Sequence, residues 1–320
     1  MQRRSILMAL SAALAPVFVQ AQAYPTRPVR LIIPYPPGGG TDALTRPWAE
    51  RMRVRMGQPF VIENRGGAAT NIGMEMAARA APDGQTLIVN ADNVALFPHL
   101  YQRLSYDLFR GLTPITYMAQ SPLVLGINPT VPARNLREFV ALLRREPDKY
   151  AFANPSIGSP HHLGFELFAR EAGVRMIQAE YRGGGPALND VLAGHVHLGV
   201  FSLGAVSSHF QAGTLRPLAL LSPARSAAAP DIPTTADEGL PAVVNALRFL
   251  LFAPAGTPPP IIGALHAATI ETLAEPALRE TLTRAGFEIL TTTPEQALAM
   301  LRHENERWAP ILPALNIRLD

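Results

Sequence analysis

Cysteine is absent from the 320-residue sequence, and Lys149 is its only lysine. Without cysteine the chain has no disulfides, thiolate zinc sites or cysteine nucleophiles, and a single lysine leaves one candidate for Schiff-base chemistry. Charged residues make up only 17% of the chain and hydrophobic residues 48%, which is typical of a globular protein. Because lysine and arginine form no block, we expect no nucleic-acid partner.

Several motifs for phosphate binding and catalysis are also missing. The chain contains neither GxxxxGK[ST] nor GxGxxG, the loops by which nucleotide-binding proteins hold phosphates. It has no GxSxG elbow, and its serines lack an evident histidine and acid in catalytic order. We therefore expect no cofactor and no catalytic residue. An exported hydrolase or isomerase, holding an anionic intermediate in glycine-rich loops, is the weaker alternative.

The first 23 residues differ from the rest in composition. Arg3 and Arg4 precede an apolar run over residues 6–19, and the segment ends in Ala-Gln-Ala, the small-x-small pattern of a signal-peptidase site. We expect residues 1–23 to be a signal peptide cleaved after Ala23. The paired arginines leave the Sec and twin-arginine routes open. A membrane anchor is less favoured, because the apolar run is shorter than the ~20 residues that span a bilayer.

Strand and helix patterns alternate along the remaining chain. Short β-rich runs at 29–33, 59–63 and 86–90 are separated by amphipathic helical segments, which predicts a parallel α/β sheet. Two further runs, at 114–119 and 123–127, are separated by a break, after which a second βα series begins. The sequence therefore predicts two α/β lobes, the first formed by residues 24–122 and 246–320 and the second by residues 123–245.

Three glycine-rich loops each lie between a predicted strand and a predicted helix. They are PYPPGGG at 34–40, NPSIGSP at 154–160 and RGGGP at 182–186. Glycine lets the backbone approach a ligand, and the free N–H groups at a helix N-terminus favour an anion. Ligands of open α/β sheets bind beyond the carboxyl ends of strands. We expect the loops to converge on one anion-binding cleft, although each alone could be a simple turn.

The polar residues near these loops have simpler interpretations than catalysis or metal binding. Thr41 or Asp42 is expected to cap a helix beginning near Ala43, and Asn71 to cap the next helix. An acid pair of Asp42 with Glu63 or Asp92 is a less favoured alternative.

The histidines do not indicate a metal site. His161 and His162 begin a helix and point about 100° apart, so we expect surface residues rather than a chelating pair. His195 and His197 could share one face of a strand, but no third ligand has a suitable spacing. No metal site is expected.

Several long segments together carry a specific likeness. They include YPTRPVRLIIPYPPGGGTD, GQPFVIENRGGAATNIG, AAPDGQTL, YRGGGPAL and PDIPTTADEGLP. These segments resemble the Bug family of extracytoplasmic solute receptors, the substrate-binding proteins of tripartite tricarboxylate transporters, over nearly all of the mature chain. The resemblance implies a type II periplasmic binding-protein fold, with two α/β lobes joined by a two-crossover hinge. It also implies a monomer in the periplasm that partners the permease subunits of such a transporter.

In that family, loop N–H groups and waters bind the carboxylate of a small organic acid. The corresponding ligand-binding positions here are Tyr35, Pro37, Gly38, Gly39, Thr41, Asp42, Asn71, Ser156, Gly158, Ser159, Gly183, Gly184 and Ser202.

Two positions depart from the family. The family often has aspartate where this chain has Phe201, and an aromatic residue where it has Arg248. Arg248 could pair with a second ligand carboxylate, or it could face solvent. These departures favour a di- or tricarboxylate over an amino acid. We therefore expect a receptor, not an enzyme, that delivers an organic acid to a transporter. The alternative is an orphan receptor that signals to a membrane sensor.

Overall fold

The computed structural model describes residues 24–181, 183–315, 317 and 319. The expected signal peptide and its cleavage site lie outside the described residues. The strands are β1 (Val29–Ile33), β2 (Phe60–Asn64), β3 (Thr86–Ala91), β4 (Leu112–Ile127), β5 (Ala151–Asn154), β6 (Ile177–Glu180), β7 (Leu198–Ser202), β8 (Arg216–Leu220), β9 (Ala246–Pro254) and β10 (Glu288–Ile289). The helices are α1 (Gly40–Met56), α2 (Asn71–Ala78), α3 (Phe97–Leu100), α4 (Leu108–Gly111), α5 (Leu136–Arg145), α6 (Pro160–Ala172), α7 (Gly184–Ala193), α8 (Leu203–Gln211), α9 (Pro259–Ala274), α10 (Pro276–Arg284), α11 (Pro294–Trp308) and α12 (Leu312–Leu315).

The described strands pair in the order β2-β1-β3-β9-β4-β7-β5-β6, and β8 and β10 also pair with β4. β1 is parallel to β2 and β3, and β5 is parallel to β6 and β7. The predicted parallel α/β units are therefore present in both halves of the chain. β9 runs antiparallel to β3, so its first residues lie beside the carboxyl end of β3.

β4 is one 16-residue strand that connects the two halves. It pairs with β9 as far as Pro122, and from Leu123 onward it pairs with β7 and β8. The expectation of two strands separated by a break is wrong. Pro122 lacks an N–H group, and a proline is tolerated here because the strand changes partners at this point. The division into lobes at 123 and 246 stays a prediction.

Alternate residues of β1 enter different cores, as the twofold repeat of a strand requires. Leu31 packs with Trp48 of α1 on one face of the sheet, whereas Ile32 belongs to the core on the other face, with Met74 of α2 and Leu301 of α11. The sheet is thus covered on both faces in this half. A third core lies in the other half of the chain, under α7 and α8.

Some elements were not predicted. α8 follows β7 directly, and the segment between β3 and β4 contains a 3-10 turn at Asp92–Leu96 and the short helices α3 and α4. Within the described chain, no helix is both long and apolar enough to cross a bilayer.

Candidate functional site

The loop after β1 leads into a helix that has no side-chain cap. Gly39 is the N-cap residue of α1 and offers no side-chain acceptor. The expectation that Thr41 or Asp42 caps the helix is wrong, because α1 begins at Gly40 and both residues lie in its first turn. First-turn N–H groups have no acceptor within a helix. Those of Gly40 and Thr41 bond to no other described residue, and the loop from Pro36 to Gly40 is exposed.

Asp42 instead fixes the shape of this loop. Its carboxylate is buried and accepts hydrogen bonds from the Gly38 N–H (3.1 Å), Arg46 Nε (2.6 Å) and Asn64 Nδ2 (3.3 Å). Burial acts to raise the pKa of Asp42, but these three donors outweigh it and hold the pKa below its usual range. Neither Glu63 nor Asp92 is among its partners, so the acid-pair alternative does not apply. The Gly38 N–H is consumed by Asp42 and is not free for a ligand.

Tyr35, in the same loop, lies against the end of β3. Burial, followed by the charge of Asp92, raises its pKa, so the hydroxyl stays protonated and can donate a hydrogen bond. Pro37 is exposed at the loop tip. Tyr35 therefore connects the glycine-rich loop to the turn that begins at Asp92.

The loop that precedes α2 has an unusual backbone. Ala68, Ala69 and Thr70 have φ values of 45°, 48° and 85°, a left-handed conformation that non-glycine residues rarely adopt. The Thr70 hydroxyl accepts from Asn90 Nδ2 at 3.2 Å and holds the loop onto β3. Asn71 is the first residue of α2 rather than its cap, and its side-chain oxygen accepts from the Tyr106 hydroxyl at 3.1 Å.

The second glycine-rich loop runs from β5 to α6, and the N–H groups of Ser156, Gly158 and Ser159 are bonded within it or to α6. The Ser156 N–H donates to Asn154 Oδ1 (3.2 Å) and the Gly158 N–H to His162 Nδ1 (3.1 Å). Ser159 is the N-cap of α6; its N–H donates to the Ser156 carbonyl and its hydroxyl accepts from the His162 N–H. The N–H groups of Ile157 and His161 bond to no other described residue, and the hydroxyl of Ser156 is exposed.

The third loop has the same uncapped form as the first. Gly183 is the N-cap of α7, and its own N–H donates to the Pro155 carbonyl at 2.8 Å. Gly184 and Gly185 follow with open space around them, and both are exposed. Ser202 ends β7 and is the N-cap of α8, with no side-chain capping bond. The second half of the chain thus contributes two further helix N-termini.

Arg248 belongs to a buried cluster of charged groups. Its Nη1 donates to Asp92 Oδ2 at 2.7 Å and lies 3.1 Å from Glu304 Oε1. Its side chain is only 14% exposed, so the solvent-facing alternative is wrong. Burial raises the pKa of Asp92 to about 6, with Arg248 opposing and Glu304 adding to the rise. Within the described chain, Nε and Nη2 of Arg248 have no hydrogen-bond partner; its use by a ligand stays a prediction.

Phe201 does not line a cleft. It is 4% exposed and packs in the core under α8 with Val124 and Leu215. A Cβ on Gly199 would lie 2.0 Å from its ring. The ring therefore occupies the space that this glycine leaves open, and the position contributes packing rather than a ligand contact.

The histidines differ from the expectation in one respect. His162 is 4% exposed, so its assignment to the surface is wrong; its ring turns back to the Gly158 N–H and lies beside Glu166. His197 accepts from the Ala151 N–H at 3.1 Å, and His195 lies 3.4 Å from Asp190. Among the described residues no three or more His, Cys, Asp or Glu side chains form a possible metal site.

Contacts between the two halves bring these features together. Asn93 Nδ2 donates to the Gly158 carbonyl at 3.3 Å, and Asn245 Nδ2 donates to the Pro160 carbonyl at 2.7 Å. A cavity of about 10 Å³, enough for one water, lies between them. It is lined by Asp92, Asn93, Leu96, Pro160, Leu163, Asn245, Ala246, Glu304 and Trp308. The turn after β3 therefore faces the second glycine-rich loop.

Asp92, Asn93, Asn245 and Glu304 were not predicted as part of this site. A signal existed for the first two, because they directly follow a buried strand, where parallel sheets present ligand-binding groups. Glu304 and Asn245 are distant in sequence from every glycine-rich loop, and no local pattern marks them.

Comparisons with known proteins agree on one family. A family model described as the tripartite tricarboxylate transporter family receptor matches residues 44–317. Protein BugT of Bordetella pertussis is 35% identical over 316 residues, covering 98% of this chain and 96% of BugT.

Two solved structures of similar proteins contain organic acids. Rpa4515 of R. palustris, solved with adipate, is 31% identical with a TM-score of 0.86, covering 92% of this chain and 99% of that one. MatC (Rpa3494) of Rhodopseudomonas palustris, with bound malate, is 30% identical with a TM-score of 0.79, covering 90% of this chain and 100% of that one. The structural likenesses confirm the predicted type II periplasmic binding-protein fold with two α/β lobes.

Proposed function

Because the chain belongs to the tripartite tricarboxylate transporter receptor family, we propose that it captures a small organic acid anion between its lobes for delivery to the membrane subunits of such a transporter. The family and the fold are those of substrate-binding receptors rather than enzymes. The family is one of periplasmic binding proteins. In this proposal the chain reaches the periplasm by export and cleavage after Ala23, and it acts there as a monomer without a cofactor.

The observation that carries the proposal is the uncapped N-terminus of α1. Gly39 provides no acceptor, and the N–H groups of Gly40 and Thr41 have no partner among the described residues. A ligand carboxylate would complete the hydrogen bonding of this helix end and would be favoured by its dipole. The hydrogen bonds of Asp42 to Gly38 and Arg46 fix the loop in a shape that leaves this helix end accessible to a ligand.

Arg248 supports a ligand with a second carboxylate. Adipate and malate, present in the two similar structures, are both dicarboxylates. Arg248 uses Nη1 for Asp92 and Glu304, which leaves Nε and Nη2, the edge suited to bidentate carboxylate binding. We therefore extend the proposal to a dicarboxylate, with one end at α1 and the other near Arg248.

The first test is a thermal-shift and calorimetry screen of malate, adipate, citrate and glutamate. An acid present at 100 times its Kd should raise the free energy of unfolding by about 2.7 kcal/mol. We expect malate or adipate to raise Tm and glutamate to have less effect. If no organic acid raises Tm, the proposal is wrong.

A pair of variants at Gly39 then locates the site. Gly39→Asp adds a carboxylate that can cap the first-turn N–H groups of α1, as a ligand would. Gly39 has φ −79° and ψ 175°, and an added Cβ would contact only the Pro36 carbonyl oxygen at 3.9 Å, so any residue fits. Asp differs from Gly as an N-cap by only a few tenths of a kcal/mol, so stability should be retained.

Binding by Gly39→Asp should fall by about 100-fold or more, because two charge-assisted hydrogen bonds of about 1.5 kcal/mol each are lost. Gly39→Ala adds the Cβ without the carboxylate and should bind like the wild type. Equal binding by the Asp and Ala variants would place the ligand elsewhere.

A further inference from the structure

The loops that precede α1 and α6 are each held by a hydrogen bond from a glycine N–H to a side chain of the following helix, at equivalent positions. In each, a glycine one residue before the N-cap has a positive φ, 87° at Gly38 and 72° at Gly158. Each glycine N–H donates to a side chain four residues later, Asp42 in one loop and His162 in the other. Both acceptors occupy the third helical position. The acceptor of this hydrogen bond is thus a carboxylate in the first lobe and an imidazole in the second.

The hydrogen bonds of His162 define its tautomer. The Gly158 N–H can only donate, so Nδ1 of His162 must be unprotonated to accept from it at 3.1 Å. Nε2 lies 3.3 Å from Glu166 Oε1 and therefore carries the proton of the neutral ring. A second proton on Nδ1 would point at the Gly158 N–H and break the bond.

A series of hydrogen-bonded side chains connects His162 to Asn154 and Ser156 at the start of the same loop. Gln178 Nε2 donates to Glu166 Oε1 at 2.5 Å, and Gln178 Oε1 accepts from Asn154 Nδ2 at 3.2 Å. Asn154 Oδ1 in turn accepts from the Ser156 N–H at 3.2 Å. The loop is therefore held at both ends by one network that passes through His162.

Gly158 also meets the other lobe. Its carbonyl accepts from Asn93 Nδ2 at 3.3 Å, and a Cβ at this position would lie 3.1 Å from the side chains of Leu100 and Leu319. Gly158 is thus held through its N–H by His162 and through its carbonyl by the first lobe. A change in the hydrogen bond to His162 would shift both the loop and this interlobe contact.

We propose that His162 is the positioning residue of the second-lobe ligand loop, and that it holds the loop only as a neutral imidazole with its proton on Nε2. The inference rests on the proposed function for its effect on affinity, but the loop geometry can be tested without a ligand. Loss of the acceptor at Nδ1 should weaken ligand binding, because the Gly158 N–H then has no partner.

Other charged groups lie near His162, and their effects on ligand binding have to be distinguished from the effect of His162. Glu166 lies on the same helix at 3.3 Å. Asp92 and Glu304, from the turn after β3 and from α11, line the cavity beside Pro160 and Leu163. Burial lowers the pKa of His161 to about 4, so it stays neutral above pH 5. Protonation of Asp92 removes negative charge near the cleft and should strengthen anion binding, so affinities are compared at a pH where Asp92 is ionised.

The test compares two variants of His162 with two of His197. His162→Asn keeps an acceptor close to the position of Nδ1, whereas His162→Leu removes the acceptor. His197 is the matched control, because its Nδ1 also accepts from a backbone N–H, that of Ala151 at 3.1 Å, at the opposite end of β5. His197→Leu and His197→Asn should change affinity by less than about twofold.

Malate and adipate serve as the ligands, with Kd measured by calorimetry at pH 8. His162→Leu should bind roughly 10- to 100-fold more weakly, because a buried donor is left unsatisfied. His162→Asn should bind within about threefold of the wild type.

Hydrogen exchange of the Gly158 amide, measured without ligand, gives a second readout. It should accelerate at least about tenfold in His162→Leu and remain slow in His162→Asn and both His197 variants. Unchanged exchange in His162→Leu would overturn the proposal whether or not the protein binds acids. Equal affinities of the Leu and Asn variants would also overturn it. If no acid binds but exchange responds as described, the failure lies in the proposed function.

Discussion

Two aspartates, Asp42 and Asp92, should respond in opposite ways to the same substitution. Each is 5% exposed and each lies beside an arginine. The pKa of Asp42 is held below its usual range by Arg46, Gly38 and Asn64 acting against burial. The pKa of Asp92 is raised from 3.8 to about 6, because burial outweighs the attraction of Arg248 and Glu304 adds repulsion. Ionisation therefore stabilises the fold at Asp42 and destabilises it at Asp92.

The magnitude follows from linkage between proton binding and folding. For Asp92 the folded-state pKa exceeds the unfolded value, so stability falls as pH rises from about 4 to about 6 and stays lower above that range. A rise from 3.8 to about 6 corresponds to at most about 3 kcal/mol at 1.36 kcal/mol per pH unit. For Asp42 the sign is reversed: its contribution is complete above pH 4 and is lost as pH falls through the lowered pKa.

We expect Asp92→Asn to leave stability at pH 7.5 unchanged or raise it by up to about 2 kcal/mol, since the neutral amide can still accept from Arg248. Asp42→Asn should cost about 1–3 kcal/mol, because charge-assisted bonds to Arg46 and Gly38 weaken. Arg248→Met should cost about 3–5 kcal/mol, because it leaves Asp92 and Glu304 buried without their shared cation.

The assay is urea unfolding of the three variants and the wild type at pH 7.5 and at pH 5. The stability difference between Asp92→Asn and the wild type should shrink at pH 5, where Asp92 is largely protonated in the folded state. Simple counting of ion pairs predicts instead that Asp92→Asn costs about 3–5 kcal/mol. A loss above about 1.5 kcal/mol at pH 7.5 would refute the reasoning from burial.

Two backbone substitutions test other features of the fold. Ala69→Gly should raise the free energy of unfolding by about 0.5–1 kcal/mol. The reason is that Ala69 has φ 48° and ψ 43°, and a left-handed conformation costs a Cβ-bearing residue about 1–2 kcal/mol. A lower stability of this variant in urea unfolding would contradict the prediction. Gly204→Ala should cost at least about 1–3 kcal/mol, because its Cβ would lie 1.9 Å from the Ala285 carbonyl oxygen of the other lobe. Gly263→Ala is the control, since nothing lies within 4 Å of an added Cβ and helix propensity favours alanine by about 1 kcal/mol.

The fold class was predictable because strand and helix periodicity is a local property. The runs at 29–33 and 86–90 lie within the observed β1 and β3, and the repeated β-loop-α units specify parallel pairing. The continuity of β4 was not predictable in the same way. Pro122 is normally a strand breaker, and only the change of partners between β9 and β7 shows why the strand can pass through it.

The site was predictable only in its backbone. Glycine at Gly38 and Gly158 marks positions with positive φ, and the sequence alone located both loops before helix starts. The groups that hold those loops were misjudged, since Asp42 was expected to be a cap and His162 a surface residue. Both lie in the third helical position, and a sequence pattern does not show whether such a side chain turns back to the loop or faces solvent.

The three glycine-rich loops also show which backbone groups remain for a ligand. In each loop the glycine with positive φ has its N–H bonded internally: Gly38 to Asp42, Gly158 to His162 and Gly183 to Pro155. Those bonds orient the peptides that follow, and the next residues differ. Gly40 and Gly184 open uncapped helices, whereas Pro160 has no N–H to give. The N–H groups of Ile157 and His161 also bond to no other described residue. An anion should therefore find backbone donors at all three loops and a hydroxyl donor at Ser156, so a substitution of Ser156 should change affinity without changing loop geometry.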